Sequence, residues 1–140
     1  MVILDTDHLS LLEWSDSPAA SAILRNLRQN RQEAFATIVS FEEQMRGWLA
    51  VLNRAKEITR QVEIYQRINK TLRGYCGRSV LDFDERAATE YQRIRKSRPR
   101  LATMDLKIAA IALANDALLL TRNTNDFLQV PGLKIDDWSK

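Results

Sequence analysis

Histidine and cysteine each occur once in the 140 residues, as His8 and Cys76. One cysteine closes no internal disulfide, and a single imidazole leaves no multi-ligand Cys/His zinc site. A Ser-His-Asp or Cys-His centre would have to be built around His8, which stands beside Asp7 with no nucleophile motif nearby. Glycine (4) and proline (3) are scarce as well, which excludes collagen-like and low-complexity architectures. The longest apolar run, Ile108 to Ala114, stops at Asn115-Asp116 and falls short of the roughly 18 residues of a membrane span. The opening Met1-Val2-Ile3-Leu4-Asp5 has no basic flank and soon meets an acid, so no secretory signal is expected. These absences together predict a soluble, cytoplasmic chain with no membrane partner, and any bound metal is expected among oxygen ligands.

What is present suits one ordinary folded unit. With 45% hydrophobic and 28% charged residues, the chain can build a core and keep a charged surface, and residues 1–140 are expected to form a single domain. The net charge of +3 hides an uneven distribution. Residues 46–100 carry 14 Lys and Arg against 6 Asp and Glu, a balance of +8, while the remainder is −5. A basic middle between acidic ends can guide a polyanion by long-range attraction, and it can equally be the solvated faces of two helices.

Apolar runs and helical periodicity alternate along the sequence. Val2-Ile3-Leu4 reads as a buried strand, and Asp5-Thr6-Asp7 supplies capping residues for a helix carrying Leu9, Leu11 and Leu12. Ile23, Leu24 and Leu27 mark a second helix. A second strand is predicted over Ala34 to Val39, with Ser40 as the cap of the next helix. From Phe41 to about Leu72 the pattern predicts two helices broken near Asn53 to Ile58, with Leu49, Leu52, Ile58, Val62, Tyr65, Ile68 and Leu72 facing inward. A short strand at Ser79-Val80-Leu81 precedes a helix capped by Asp84, and another helix covers Met104 to Ala114. Ala117 to Thr121 reads as a strand buried on both faces, and Leu133-Lys134-Ile135 as a last short one. Strands alternating with helices predict an α/β, three-layer fold with a mainly parallel sheet.

In such sheets, ligands bind in the crevice beyond the carboxyl ends of the strands. Asp5 follows the first strand, Glu42 and Glu43 the second, and Asn123 to Asp126 the Leu118-Leu119-Leu120 strand, while Asp105 opens an apolar helix that must pack on the sheet. Clustered carboxylates repel one another unless a cation neutralises them, and an all-oxygen site suits Mg²⁺ or Mn²⁺. Each acid also has a structural use: Asp5 or Asp126 as a helix cap, Glu43 or Asp105 as a first-turn acid favoured by the helix dipole.

Four segments together resemble the PIN-domain ribonucleases, in particular the VapC-type toxins of toxin-antitoxin pairs. They are Val2-Ile3-Leu4-Asp5-Thr6-Asp7, Ser40-Phe41-Glu42-Glu43-Gln44-Met45-Arg46-Gly47, Asp105-Leu106-Lys107-Ile108-Ala109-Ala110 and Leu120-Thr121-Arg122-Asn123-Thr124-Asn125-Asp126-Phe127, and the ending Val130-Pro131-Gly132-Leu133 with Trp138 is similar too. The resemblance implies Mg²⁺-dependent hydrolysis of RNA phosphodiester bonds, with Asp5, Glu43, Asp105 and Asp126 as catalytic acids and Asp5 and Asp105 as direct metal ligands. The resemblance also implies Glu43 rather than Glu42, because Glu43 stands four residues before Gly47 as the family's glutamate commonly stands before its glycine. Many relatives carry an acid where this chain has Asn123, which leaves Asn123 and Asp126 as alternative completions of the site. Asp7 is implied as an auxiliary or capping residue, and Thr6, Thr121 and Asn123 as nearby hydrogen-bonding groups. A cognate antitoxin, an RNA substrate and a homodimer are the implied partners, and a housekeeping RNA-processing role is the alternative within the family.

Two other classes compete. Asp5-Thr6-Asp7 resembles the nucleophile motif of haloacid-dehalogenase-type phosphatases, but Leu9 stands where that motif expects Thr or Val. A receiver-like signalling domain needs a phosphoacceptor Asp after a middle strand and a Lys after a late one; here the middle is helical and Thr121 ends the late strand.

Overall fold

The computed structural model describes residues 1–140. Its centre is a five-stranded sheet formed by β1 (Val2–Leu4), β2 (Ala34–Thr37), β3 (Ser79–Leu81), β4 (Leu118–Leu120) and β5 (Lys134–Asp136). The strand order is β3-β2-β1-β4-β5, and every neighbouring pair is parallel. Each strand has three or four residues, so nearly every strand residue lies close to a loop at one end of the sheet. The carboxyl ends of β1, β2 and β4 are adjacent because β1 pairs with both of the others.

Helices cover both faces: α1 (Thr6–Trp14), α2 (Pro18–Gln29), α3 (Ile38–Arg54), α4 (Ile58–Cys76), α5 (Glu85–Arg95), α6 (Thr103–Ala114) and the short α7 (Thr124–Phe127). The alternation of β1 splits the core in two. Ile3 points to a cluster with Ile94, Leu106, Ile108 and Ile111 of α5 and α6. Val2 and Leu4 point to the opposite cluster with Leu9, Ile23 and Tyr75 of α1, α2 and α4. This is the predicted three-layer α/β arrangement with a parallel sheet. No helix is long and apolar enough to cross a membrane.

Side-chain caps set several helix starts. Asp5, Ser17, Thr37 and Asp84 cap α1, α2, α3 and α5, each accepting from a backbone N–H of the first turn, and Pro18 occupies the first turn of α2. The expected cap at Ser40 is corrected to Thr37, whose Oγ1 accepts from the Ser40 N–H at 3.0 Å. Ile38 and Val39, predicted as strand, therefore begin α3. Once Thr37 offered its hydroxyl, helix entry outcompeted two further β-branched strand residues.

The predicted break between the two long helices falls at residues 55–57, but their inward faces differ from expectation. Leu49, Ile58, Val62, Tyr65 and Leu72 are all exposed. α4 instead buries Ile64, Thr71 and Tyr75. With half-buried Ile68 these make a stripe at spacings of four, three and four. An apolar-only reading misses this stripe because two members are polar. Both find partners: Trp48 Nε1 donates to Thr71 Oγ1 at 3.0 Å, and the Tyr75 hydroxyl donates to Gln44 Oε1 at 2.6 Å.

Candidate active site

The site begins where β1 ends. Asp5 N–H donates to the Leu120 carbonyl at 2.9 Å, continuing the β1–β4 pairing by one residue. The Asp5 Oδ1 accepts from the Thr6 N–H at 2.7 Å and Oδ2 accepts from the Thr121 hydroxyl at 2.9 Å. The capping reading of Asp5 is thus correct, and it leaves the carboxylate fixed between two strand ends at 5% exposure. Burial pushes its pKa up to about 7, against the opposing hydrogen bonds from Thr121 and Thr6, with Asp105 and Asp7 pushing the same way as burial.

Asp105 lies in the first turn of α6, whose N-terminus has no side-chain cap. Its pKa is pushed up to about 6, first by burial and then by Glu43, Asp7 and Asp126. Asp105 is therefore the electrostatic centre of the cluster: each of the other proposed acids acts on it or on its neighbour Asp5. None of Asp5, Asp7, Glu43, Asp105 and Asp126 is in an ion pair.

The choice between adjacent glutamates has a structural counterpart. Glu42 pairs with Arg46 at 2.8 Å along the outer face of α3, whereas Glu43 turns its charge on Asp105. On the fourth segment, Thr121 Oγ1 accepts from the Asn123 N–H at 3.0 Å, and Asn123 leads into α7, which carries exposed Asp126. Thr121 thus ties this turn to Asp5. Asp7 is exposed and leaves the cap to Asp5, yet it raises both Asp5 and Asp105. Beneath the acids runs a hydroxyl chain: Thr6 and Thr37 each bond the Ser40 Oγ, at 3.0 and 3.3 Å. Thr37 was read only as strand; its position directly after an apolar run was the available signal.

His8 forms no nucleophilic centre. It is fully buried, neither ring nitrogen has a hydrogen-bond partner, and its nearest charge is Asp137 at 3.7 Å. Burial lowers its pKa, so the ring is held in the neutral form.

No three Asp, Glu, His or Cys side chains stand close enough to enclose an ion by themselves. Mg²⁺ keeps several of its waters and takes one or two carboxylates directly, so it does not require three. Fixed Asp5 and half-buried Asp105, neither in an ion pair, are the candidate carboxylates.

The family profile described as PIN domain matches residues 2–133. The chain belongs to the PIN domain family. Over 73 residues it is 36% identical to a tRNA(fMet)-specific endonuclease VapC from Shigella flexneri, and that match spans 49% of this chain and 55% of the relative, about half its length. The PIN fold is shared over full length with solved structures. The VapBC2 complex of Rickettsia felis bound to a promoter DNA fragment superposes with a TM-score of 0.73 at 20% identity, covering 99% of both chains. VapBC-1 of nontypeable Haemophilus influenzae gives 0.72 at 21% identity and covers 100% of both. As a PIN domain, the protein has neither the phosphatase nor the receiver fold weighed from its sequence.

Proposed function

We propose that this PIN domain is a metal-dependent endoribonuclease that hydrolyses RNA phosphodiester bonds, and that it is the toxin of a toxin-antitoxin pair acting in the cytoplasm. The observation that carries the reading is the mutual repulsion of Asp5, Asp7, Glu43, Asp105 and Asp126, drawn from separate strand ends and held with no cation among them. Repulsive placement of this kind costs folding energy and is characteristic of functional sites.

Asp5 and Asp105 would hold the metal, Mg²⁺ or alternatively Mn²⁺. When bound it supplies charge stabilisation at the phosphoryl oxygens and eases deprotonation of the attacking water. The chain's own residues do the rest. Thr121 and the Thr6 N–H lock the Asp5 carboxylate in one orientation. Glu43 and Asp126 would complete the metal's shell through water or orient the attacking water. Basic side chains of residues 46–100 draw the polyanion towards an otherwise acidic crevice.

The toxin reading draws support from the VapC similarity and the shared fold of the VapBC chains. The antitoxin would inhibit by anchoring apolar residues in a helical groove and sending an Arg or Lys among the carboxylates, so that excess Mg²⁺ weakens inhibition. The exposed apolar residues Ile58, Val62 and Tyr65 of α4 support a homodimer.

The experiment is cleavage of defined RNAs by the purified chain in Mg²⁺ and in chelator, beside expression without a partner. Metal-dependent cleavage with growth arrest is expected. Cleavage without growth arrest assigns a housekeeping nuclease, and no cleavage by folded protein in Mg²⁺ or Mn²⁺ refutes the enzymatic reading.

A further inference from the structure

Three hydroxyls lie end to end across the gap between the carboxyl ends of β1 and β2. Thr37, the last residue of β2, and Ser40, in the first turn of α3, are fully buried, whereas Thr6 at the start of α1 is half-buried. Ser40 Oγ stands 3.0 Å from Thr6 Oγ1 and 3.3 Å from Thr37 Oγ1. The Ser40 N–H donates to Thr37 Oγ1 at 3.0 Å, and beyond these contacts the three hydroxyls have no partner within the protein.

Each hydroxyl carries one proton and rotates to place it. Three protons share two oxygen–oxygen contacts, so one is left over. A buried donor without an acceptor is the costly arrangement, which decides where the surplus proton goes. Thr37 donates to Ser40, Ser40 donates to Thr6, and the free O–H emerges on Thr6, the one member of the chain that is not sealed in. A chain running from Thr6 to Thr37 would strand that proton in the core at Thr37, which is fully buried.

The free O–H belongs to the crevice. Thr6 directly follows Asp5, and Glu43 stands one turn beyond Ser40 on α3, so the chain of hydroxyls joins the segments that carry two of the proposed acids. Ionised carboxylates only accept hydrogen bonds. The non-bridging oxygens of a phosphodiester also only accept, so among these acids they require a donor from a neutral group. A hydroxyl held from behind meets that requirement without bringing a charge into the crevice.

We infer that Thr6 donates a hydrogen bond to a non-bridging oxygen of the scissile phosphate, and that Ser40 and Thr37 are positioning residues that aim it. The inference rests on the proposed cleavage of RNA. A donor oriented before substrate arrives is most effective as negative charge gathers on that oxygen in the transition state. Thr6 gives up no proton: water adds across one P–O ester bond, leaving a phosphate end and a hydroxyl end, and the threonine finishes as it began.

The test uses the full chain in Mg²⁺ and an RNA with a single cut site, in which sulfur replaces either non-bridging oxygen of the scissile phosphate. Sulfur is a weak acceptor, so one of the two diastereomers should slow the wild type by about 10- to 100-fold relative to the all-oxygen RNA. Thr6→Val should lower kcat on the all-oxygen RNA by about 100-fold, and in it the sulfur penalty of that diastereomer should fall towards one. Thr6→Ser, which keeps the hydroxyl, should restore the penalty. Because the penalty is a ratio measured on one preparation, loss of folded protein does not move it. Ser40→Ala leaves the Thr6 hydroxyl free to turn and should lower kcat by roughly 3- to 10-fold with KM unchanged. A sulfur penalty unchanged in Thr6→Val, or absent from both diastereomers in the wild type, overturns the inference alone, as does wild-type kcat in Ser40→Ala. Absence of RNA cleavage by the wild type overturns the enzymatic reading together with it.

Discussion

Replacing Asp5 by Asn should stabilise the metal-free protein at pH 8, although Asp5 is buried, hydrogen-bonded and a helix cap. Its folded-state pKa is raised from 3.8 to about 7. A raised carboxyl pKa means that the folded state favours the proton, so this stabilising contribution is complete below about pH 4 and is lost as pH rises through about 7. Three units at about 1.4 kcal/mol each give a penalty of about 4 kcal/mol for the ionised group at pH 8. Asparagine carries no such penalty. As a cap it is nearly equivalent, since its carbonyl still accepts from the Thr6 N–H. Its amide then faces Thr121 Oγ1, which can turn to accept, at a loss of about 1 kcal/mol against the original charge-assisted bond. The net gain is about 2 to 3 kcal/mol at pH 8 and close to zero at pH 4. Urea unfolding in chelator at both pH values reads this directly. Saturating Mg²⁺ should then close the gap by stabilising the wild type alone, by about 2.7 kcal/mol at 100 times its Kd. A variant less stable than wild type at pH 8 in chelator would refute the argument and make Asp5 a purely structural residue.

Three further outcomes are expected. Metal affinity and cleavage should both rise from pH 5 to 8, because protons compete with metal at Asp105 and Asp5, raised to about 6 and about 7; a flat profile across that range would contradict the assignment. Thr121→Val removes the hydroxyl that donates to Asp5 and should move the midpoint of that profile about one unit more alkaline, which a pH series of cleavage rates would check. Ile64→Ala, at a fully buried position of α4, should cost about 2 to 5 kcal/mol in urea unfolding, whereas Val62→Ala, exposed on the neighbouring stripe, should stay within about 0.5 kcal/mol in a monomer.

The legible parts of the sequence are those in which local chemistry and tertiary demand agree. Val2-Ile3-Leu4 is apolar on both faces because helices cover both faces of the sheet. Asp84 caps where its helix must begin, and the acids after each strand mark one end of that sheet. The unreadable parts depend on partners distant in sequence. Thr71 and Tyr75 count as core only because Trp48 and Gln44 satisfy them, and Tyr65 looks like core until α4 is rotated to bury Ile64. For the candidate site, position after the strands and the family resemblance singled out Asp5, Glu43 and Asp105, but neither shows the bond from Thr121 across 116 positions to Asp5. The electrostatic share of Asp7 was equally hidden, since it depends on where α6 begins.

The central claim is that the carboxylates at the strand ends form a metal-dependent RNA-cleaving centre, and Asp105→Asn tests it most directly. Asp105 caps nothing and is only half-buried, so the variant should fold as well as the wild type. Loss of an indirect partner of a metal site typically costs 10- to 100-fold, and loss of a proposed direct ligand should lower the Mg²⁺-dependent cleavage rate by at least about 100-fold. A folded Asp105→Asn protein that cuts the same RNA at the wild-type rate in Mg²⁺ would contradict the account.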